Sequence, residues 1–433
     1  MDLSLVIPAL NESKNLSNLI PRIKKALSNL NIEYEIIIVI GSRDILPTTL
    51  TKEGHVVVIK QKHRGFGGAL VSGFSAASGK FCMTMDADFS HDPIFIKKLW
   101  HVRDKADLIV ASRFIRGSRY ETDLLRKVLS MLLNKIFGYG LSIPLKDISS
   151  GFRLYRSSAL KSIPLDSHDF DIQQEILIKF YISGYDVIEI PFFYKMRRYG
   201  KSHARLIEFG ISYIRTFRKI FILRNSIISA DYDYRTYSSR VLLRRHWQRK
   251  KYKIIKCFLS DAKNGLVADI GSGSNKLAAD LKRIVAVDND IPKLLHLRKI
   301  RGDDSRLISA FAERLPFPDG TFSCVICAEV IEYVKGKTLF DELKRVLAKD
   351  GLLIIVTTDY SRKLWMGIER IIHKILSGGY VKKNFRQYTR NTLTKILNEH
   401  NFSIVDKKYI LFSGLCVKAR KDLQEREMKH DEA

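Results

Sequence analysis

Cysteine is scarce and scattered: Cys82, Cys257, Cys324, Cys327 and Cys416 are the only five in 433 residues. So few exclude a disulfide-built scaffold. Cys324 and Cys327 form a CxxC pair, but a tetrahedral zinc site needs a second ligand pair and none follows, so buried thiols are expected. No apolar run reaches the roughly 18 residues of a membrane-spanning helix. Met1-Asp2-Leu3-Ser4 lacks the basic-then-apolar pattern of a secretory signal. Those two absences place the expected site of action in the cytoplasm. Acid is the third shortage, since 46 Asp and Glu face 74 Lys and Arg, a net charge of +28. Such an excess attracts polyanions: nucleic acid, an anionic membrane or a phosphorylated lipid. With 45% hydrophobic and 28% charged residues the chain is globular, and it is too long for one core, so two or three domains are expected.

The first half is organised around Phe81-Cys82-Met83-Thr84-Met85-Asp86-Ala87-Asp88. An apolar run of this kind reads as a buried parallel strand, and open α/β sheets bind ligands at the strands' carboxyl ends. If the strand continued through them, Asp86 and Asp88 would point to one side, where a divalent cation could sit between them and a diphosphate. A solvated Asp-rich turn is the bland alternative. Upstream, the strand Leu3–Pro8 leads into a helix with Leu16, Leu19, Ile20, Ile23 and Leu27 at helical spacing. Strands follow at Tyr34–Ile40 and His55–Ile59, and Arg64-Gly65-Phe66-Gly67-Gly68-Ala69 opens a helix that runs to about Ser78. That glycine loop suits a phosphate-bearing ligand as well as it suits a tight turn.

In order, Val6-Ile7-Pro8-Ala9-Leu10-Asn11-Glu12, the Arg64–Ala69 loop, Met85–His91, Ala111–Phe114, Asp147–Arg153 and Arg197–Ser202 resemble the inverting family-two glycosyltransferases. The nearest branch is that of the dolichyl- or polyprenyl-phosphate sugar synthases. The resemblance covers roughly the first 220 residues and implies a nucleotide-sugar-binding glycosyltransferase A-type fold, with Mg²⁺ or Mn²⁺ on Asp86 and Asp88. It implies donor or acceptor contacts at Pro8, Ala9, Asn11, Glu12, Arg64, Asp147 and Ser150, with Arg113, Arg153, Arg197 and Lys201 facing phosphates. The second strand ends Val39-Ile40-Gly41-Ser42-Arg43-Asp44, where the family usually carries an acidic turn. A phosphate acceptor is already an anionic nucleophile, whereas a hydroxyl acceptor needs a base, for which Glu175 is the candidate. From Lys195 to Phe221 cations alternate with aromatics, and Phe209, Tyr213, Phe217 and Phe221 recur every fourth residue. That pattern reads as a helix lying on an anionic membrane surface, or as a helix packed on its own domain.

Residues 226–256 read as a basic linker or interfacial segment, with RNA binding as the other option for its aromatics and cations. Leu266-Val267-Ala268-Asp269-Ile270-Gly271-Ser272-Gly273-Ser274-Asn275 then opens a second α/β unit, and Asp288 closes the next strand where a ribose hydroxyl would be accepted. Those two features alone also fit NAD. The sequel, Phe311–Phe322, the strand Ser323–Ala328, Glu329–Val334, a helix Leu339–Leu347, a strand Leu352–Val356 and two closing strands, resembles class I S-adenosylmethionine-dependent methyltransferases. The resemblance implies a Rossmann-like fold in which Asp269, Gly271, Gly273, Asp288, Ala312 and Glu313 hold S-adenosyl-L-methionine. Near the methyl acceptor, Glu329, Glu332 and Tyr333 are the candidates. The third glycine position of that turn is Asn275 and Phe311 stands where an acid is common, features that favour the rival reading of a degenerate or RNA-binding scaffold module.

The expected architecture is therefore α/β with a glycosyltransferase domain over 1–225, a basic segment over 226–256, a methyltransferase domain over 257–420 and a charged tail over 421–433. The expected activity is sugar transfer from a nucleotide sugar to a polyprenyl phosphate or lipid-linked acceptor, on the inner face of the cell membrane. Methylation of a related glycan or lipid would follow, and nucleic acid is not expected as a partner.

Overall fold

Alternation along the first strand decides the layering of the N-terminal unit. In β1 (Leu3–Ala9), Leu3, Leu5 and Ile7 join one core while Val6 joins the other, because successive strand residues face opposite ways. The same split divides Ile36, Ile38 and Ile40 from Ile37 and Val39 in β2 (Tyr34–Ile40). Both faces of the sheet are thus covered, α1 (Ser13–Ser28) on one side and α2 (Phe66–Ala76) on the other. The computed structural model describes residues 1–41, 54–195, 216–239, 241–262, 265–281, 283–302, 306–334, 338–362 and 386–422.

The chain divides into two units, Met1–Arg224 and Asn225–Ala433. In the first, β3 (Val56–Lys60), β4 (Phe81–Thr84), β5 (Leu108–Ser112), β7 (Arg153–Arg156) and β8 (Val187–Pro191) join β1 and β2 in the order β3-β2-β1-β4-β7-β5-β8. β7 alone is antiparallel to its neighbours. A two-stranded ribbon pairs β6 (Arg119–Tyr120) with β9 (Phe193–Tyr194). Between β5 and β7 runs α3 (Leu124–Leu141), and between β7 and β8 runs α4 (Ile172–Ile182). Strand order reverses at β1, with β2 on one side and β4 on the other, which opens a crevice at the carboxyl ends of β1 and β4.

The second unit repeats that logic. Its sheet runs β12-β11-β10-β13-β14-β16-β15, built from β10 (Val267–Ile270), β11 (Ile284–Asp288), β12 (Leu307–Ser309), β13 (Phe322–Ala328), β14 (Leu347–Thr358), β15 (Phe402–Ile410) and β16 (Gly414–Lys421). The first five strands are parallel, and β16 enters antiparallel between β14 and β15. This is a Rossmann-like sheet whose reversal point lies at β10.

Residues 226–256 are not a segment apart: α5 (Tyr232–Thr236) and α6 (Leu242–Leu259) belong to the second unit. The reason is an apolar stripe at the end of α6, where Ile254, Ile255, Phe258 and Leu259 pack with Val267, Ile354 and Cys416. In the described half of the aromatic stripe, Phe217 and Phe221 are half-buried. Phe217 stands 4.8 Å from Phe137, and Phe217 and Phe221 pack on the core of the first unit beside Ile220. Phe209 and Tyr213 lie outside the described residues. Among the described residues, no helix is long and apolar enough to cross a membrane.

Candidate functional sites

β4 stops at Thr84, so Asp86 and Asp88 sit in the turn beyond it and not on one side of a strand. The turn is tight enough to put Phe89 at φ +64°. It is held by His91, whose Nδ1 accepts the Asp86 backbone N–H at 3.0 Å. Accepting there leaves the imidazole proton on Nε2, which stands 3.5 Å from the Asp86 carboxylate. Burial keeps the pKa of His91 below its ordinary value even though Asp86 and Asp88 pull it up, so the ring is neutral. Asp88 is buried and its carboxylate accepts the Ser90 N–H at 3.1 Å. Two carboxylates in one turn fit a hard divalent cation, which takes oxygen ligands. Among the described residues no three His, Cys, Asp or Glu side chains converge on a metal position, so a cation here would take its remaining ligands from water or from a phosphate.

At the end of β1, Ala9 is buried and Pro8 half-buried. Asn11 adopts φ +57°, and Glu12 accepts from Asn15 at the start of α1. Arg64 is exposed. Its glycine loop serves the chain itself: a Cβ at Gly65 or Gly67 would come within 2.4–2.6 Å of the His168 backbone, and the Gly68 N–H donates to His168 O at 3.0 Å. Arg197 and Lys201 lie outside the described residues.

Several residues expected at the ligand make contacts within the protein. Arg153 is fully buried and spends its guanidinium on the carbonyls of Ser150, Gln173 and Ile148 at 2.7–2.8 Å. Arg113 makes a fork to Asp147 at 2.7–2.8 Å. Asp147 is wholly buried, and Arg113 overcomes the burial that would raise its pKa, holding it below the ordinary carboxylate range. The Ser150 hydroxyl donates to Ala111 O at 2.7 Å. Glu175, the candidate base, is buried, pairs with Lys179 at 2.7 Å and accepts the Ser167 N–H at 2.8 Å. These contacts outweigh burial and keep its pKa low. In this arrangement the polar groups of these residues are engaged within the protein, and breaking the buried Arg113–Asp147 or Lys179–Glu175 pair would strand a partner.

In the second unit Gly271 and Gly273 both take positive φ, +66° and +53°. A Cβ at Gly271 would meet Val330 at 2.2 Å, and one at Gly273 would meet the Asp233 carboxylate at 2.3 Å. Asp288 accepts the Gly273 N–H at 2.6 Å and the Asp290 N–H at 2.8 Å. The turn bearing Ala312 and Glu313 starts beside it, through Ala310 N–H to Asp288 O. Burial lifts the Asp269 carboxyl to about 7 against the pull of Asn275, which donates to it at 2.8 Å. Its other oxygen has no partner among the described residues. Asp269, the glycine turn, Asp288 and the Ala312–Glu313 turn thus share one strand-end crevice, and the orphaned Asp269 oxygen and tight glycine cradle fit a cationic nucleoside ligand.

Residues 4–163 match the family Glycosyl transferase family 2, and residues 268–355 match the family Methyltransferase domain. The chain carries a glycosyltransferase domain followed by a methyltransferase domain. It is 34% identical over 218 residues to a dolichol-phosphate mannosyltransferase of Pyrococcus furiosus, across 47% of this chain and 60% of that one. It is 30% identical over 212 residues to an undecaprenyl-phosphate 4-deoxy-4-formamido-L-arabinose transferase of Edwardsiella ictaluri, across 47% and 63%. The chain therefore spans about three-fifths of the length of these curated relatives. Among solved structures, a glucosyl-3-phosphoglycerate synthase from Mycobacterium tuberculosis is similar at TM-score 0.40 and 20% identity, over 52% of this chain and 78% of that one. A SAM-dependent methyltransferase from Thermotoga maritima is similar at 0.36 and 21%, over 44% and 95%.

Some residues of these two domains escaped the sequence reading. His91 of the glycosyltransferase domain belongs to the Met85–His91 motif, but nothing in the sequence shows both ring nitrogens turned to Asp86. In the methyltransferase domain Asn275 caps a helix, accepting the Ala278 N–H at 2.8 Å while its amide holds Asp269. An Asn just before a helix is a readable cap signal. Asp233, Lys251 and Lys293 also meet the crevice region. Asp233 pairs with Lys293 at 3.1 Å, and Lys251 pairs with Glu329 at 2.9 Å. Glu332 is buried against Thr357 while Tyr333 is exposed.

Proposed function

We propose that the N-terminal domain transfers a sugar, with inversion, from a nucleotide-sugar donor to a polyprenyl phosphate, and that the C-terminal domain methylates a related glycan or lipid using S-adenosyl-L-methionine. The observation that carries the first half is the Asp86–Asp88 turn held by His91 at the crevice between β1 and β4. A phosphate oxygen of the acceptor attacks the anomeric carbon, and the bond from that carbon to the diphosphate breaks. No proton has to be removed from an acceptor that is already anionic, which agrees with the engagement of Glu175 by Lys179 and Ser167. A Mg²⁺ or Mn²⁺ ion held by Asp86 and Asp88 would neutralise the departing diphosphate. His91 keeps Asp86 turned to that position. The printed names of the Pyrococcus and Edwardsiella relatives, both transferases named for polyprenyl-type phosphates, support the acceptor class.

The second half rests on the crevice formed by Asp269, Gly271, Gly273 and Asp288. S-adenosyl-L-methionine supplies an already activated methyl group, so the domain's task is to bind and orient. Asp288 and the backbone of the glycine turn would hold the nucleoside, with Asp269, one of whose oxygens has no partner among the described residues, beside them.

A membrane surface on the cytoplasmic side suits a lipid-phosphate acceptor. Support comes from α3, where Leu125, Val128, Leu129, Leu132, Ile136 and Tyr139 are each 43–65% exposed and recur at three- and four-residue intervals along one face. α3 leads through residues 142–150 to Gly151, which faces Asp86. The full-length protein incubated with undecaprenyl phosphate in vesicles and a panel of labelled nucleotide sugars should move one label into lipid. Absence of transfer from every donor would overturn the reading.

A further inference from the structure

Gln173, in the first turn of α4, is 4% exposed, and among the described residues neither oxygen nor nitrogen of its carboxamide has a hydrogen-bond partner. Buried amides are nearly always satisfied, because desolvating one without a partner costs stability. Its position is not slack, since the buried Arg153 grips the Gln173 carbonyl at 2.7 Å and ties it to the loop around Gly151 through the Ser150 carbonyl. The amide also faces the reaction site. An atom placed at the missing Cβ of Gly151 would lie 3.6 Å from Gln173 Nε2 and 3.5–3.6 Å from both carboxylate oxygens of Asp86. Gly151 therefore leaves a gap lined by an unsatisfied amide on one side and the metal-site carboxylate on the other.

We propose that Gln173 binds hydroxyl groups of the sugar being transferred. The inference rests on the glycosyl-transfer reading and adds the group that recognises the sugar. The chemistry of the amide selects the ligand class. A diphosphate only accepts hydrogen bonds and would satisfy Nε2 while leaving Oε1 stranded. Sugar hydroxyls both donate and accept, so neighbouring alcohols on a pyranose can satisfy both atoms. The place is right as well, because the sugar of a nucleotide diphosphate lies beyond the phosphates that Asp86 and Asp88 would face.

The test uses the full-length protein and the donor found by the panel above. Gln173→Met removes the orphaned amide at nearly constant volume, so the Tm should hold or rise. Transfer should fall about 100-fold, while Mn²⁺-dependent affinity for the free nucleoside diphosphate stays within twofold of wild type. Gly151→Ala places a methyl in the gap at ordinary contact distances and should likewise impair transfer with folding intact. Single-deoxy donors complete the test. A donor lacking the recognised hydroxyl should be poor for wild type and no worse for Gln173→Met, the non-additivity expected of groups in contact. A lowered Tm with unchanged transfer, or additive losses with every deoxy donor, overturns the proposal. A wild-type protein that transfers no sugar at all removes the glycosyl-transfer reading itself, and this inference with it.

Discussion

His91 holds Asp86 through both nitrogens of its ring: Nδ1 accepts the Asp86 backbone N–H at 3.0 Å, and Nε2 stands 3.5 Å from the Asp86 carboxylate. The ring is itself clamped, 4.9 Å from Phe152 and 5.6 Å from Phe192. Groups that orient a metal ligand are typically worth 10–100-fold in affinity or activity. His91→Phe keeps the aromatic packing and removes both nitrogens, so it should fold normally, bind Mn²⁺ about tenfold or more weakly, and transfer sugar correspondingly slowly. Isothermal calorimetry with Mn²⁺ and nucleoside diphosphate measures the first effect. Unchanged affinity would mean that the ring only fills space.

Asp88 is buried, at 7% exposed, so its replacement has to be isosteric to be informative. Asp88→Asn keeps the volume and an oxygen able to accept the Ser90 N–H. We expect transfer to fall about 100-fold or more, the range seen when a group stabilising developing charge is lost. The Tm should change little. Excess EDTA should silence the wild type in the same way, and restored transfer on adding Mn²⁺ would tie the loss to the ion. Full activity of the variant, or of the wild type in EDTA, would rule out the metal role.

Gly271 is held at φ +66° with Val330 2.2 Å from its absent Cβ. A side chain here strains the backbone by about 1–2 kcal/mol before any contact is counted. Gly271→Ala should therefore lower the unfolding temperature of the methyltransferase unit by several degrees and weaken S-adenosyl-L-methionine binding, while sugar transfer is unaffected. Differential scanning calorimetry of the full chain, with and without the cofactor, reads both. An unshifted transition would show that Val330 and the turn yield freely.

Much of this was legible in the chain. The apolar runs of β1 and β2, the helical spacing of Leu16, Leu19 and Ile23, and the acidic residues after β4 are local patterns, and local patterns survive folding. Partnerships across long separations did not show. Arg113 and Asp147 look like two ligand-facing charges until the fold pairs them, and Arg153 carries no mark in the sequence of being the hub of three carbonyls. The basic character of residues 244–256 concealed the apolar stripe that packs α6 into the second unit. The exposed apolar face of α3 went unread, because a helical apolar stripe looks the same in sequence whether the fold buries it or leaves it exposed.

Asp269 gives the methyltransferase unit a pH signature. Burial raises its folded pKa to about 7 from an ordinary value of 3.8, so the folded state keeps a proton that the unfolded chain has released. Between roughly pH 4 and pH 7 the folded state binds more protons, and stability from this group is lost as pH rises through that window, by a few kcal/mol at most. Asp269→Asn cannot titrate and keeps an oxygen to accept from Asn275. The Tm of the variant minus that of wild type should accordingly increase from pH 5 to pH 8. A difference that stays flat would show that the carboxylate is charged throughout.

α3 exposes its apolar face more than the half-buried Phe217 and Phe221 do, and the membrane proposal is tested there. Leu125, Leu129 and Leu132 are 64%, 43% and 52% exposed, and their spacing of four and three residues keeps them on one side of the helix. Exposed Lys127 and Lys135 lie on the same helix and could reach lipid phosphates. Full burial of a leucine side chain is worth about 1.5–3 kcal/mol, and partial entry into the headgroup boundary some fraction of that. Changing Leu125, Leu129 and Leu132 to Ser should therefore lower binding to anionic vesicles by at least about tenfold with every charge in place. The Tm should not fall, because these side chains contribute little to the core. Phe217→Ser makes the opposite control. Its ring touches Phe137 and would contact any side chain added at Gly140, so the variant should be destabilised by about 1–3 kcal/mol while the folded fraction still binds vesicles. Sedimentation with vesicles at low and high salt separates the two contributions, since the cationic part weakens with salt and the apolar part does not. If the triple α3 variant sediments like wild type, the exposed leucines do not meet the bilayer, and the charge alone accounts for whatever binding is seen.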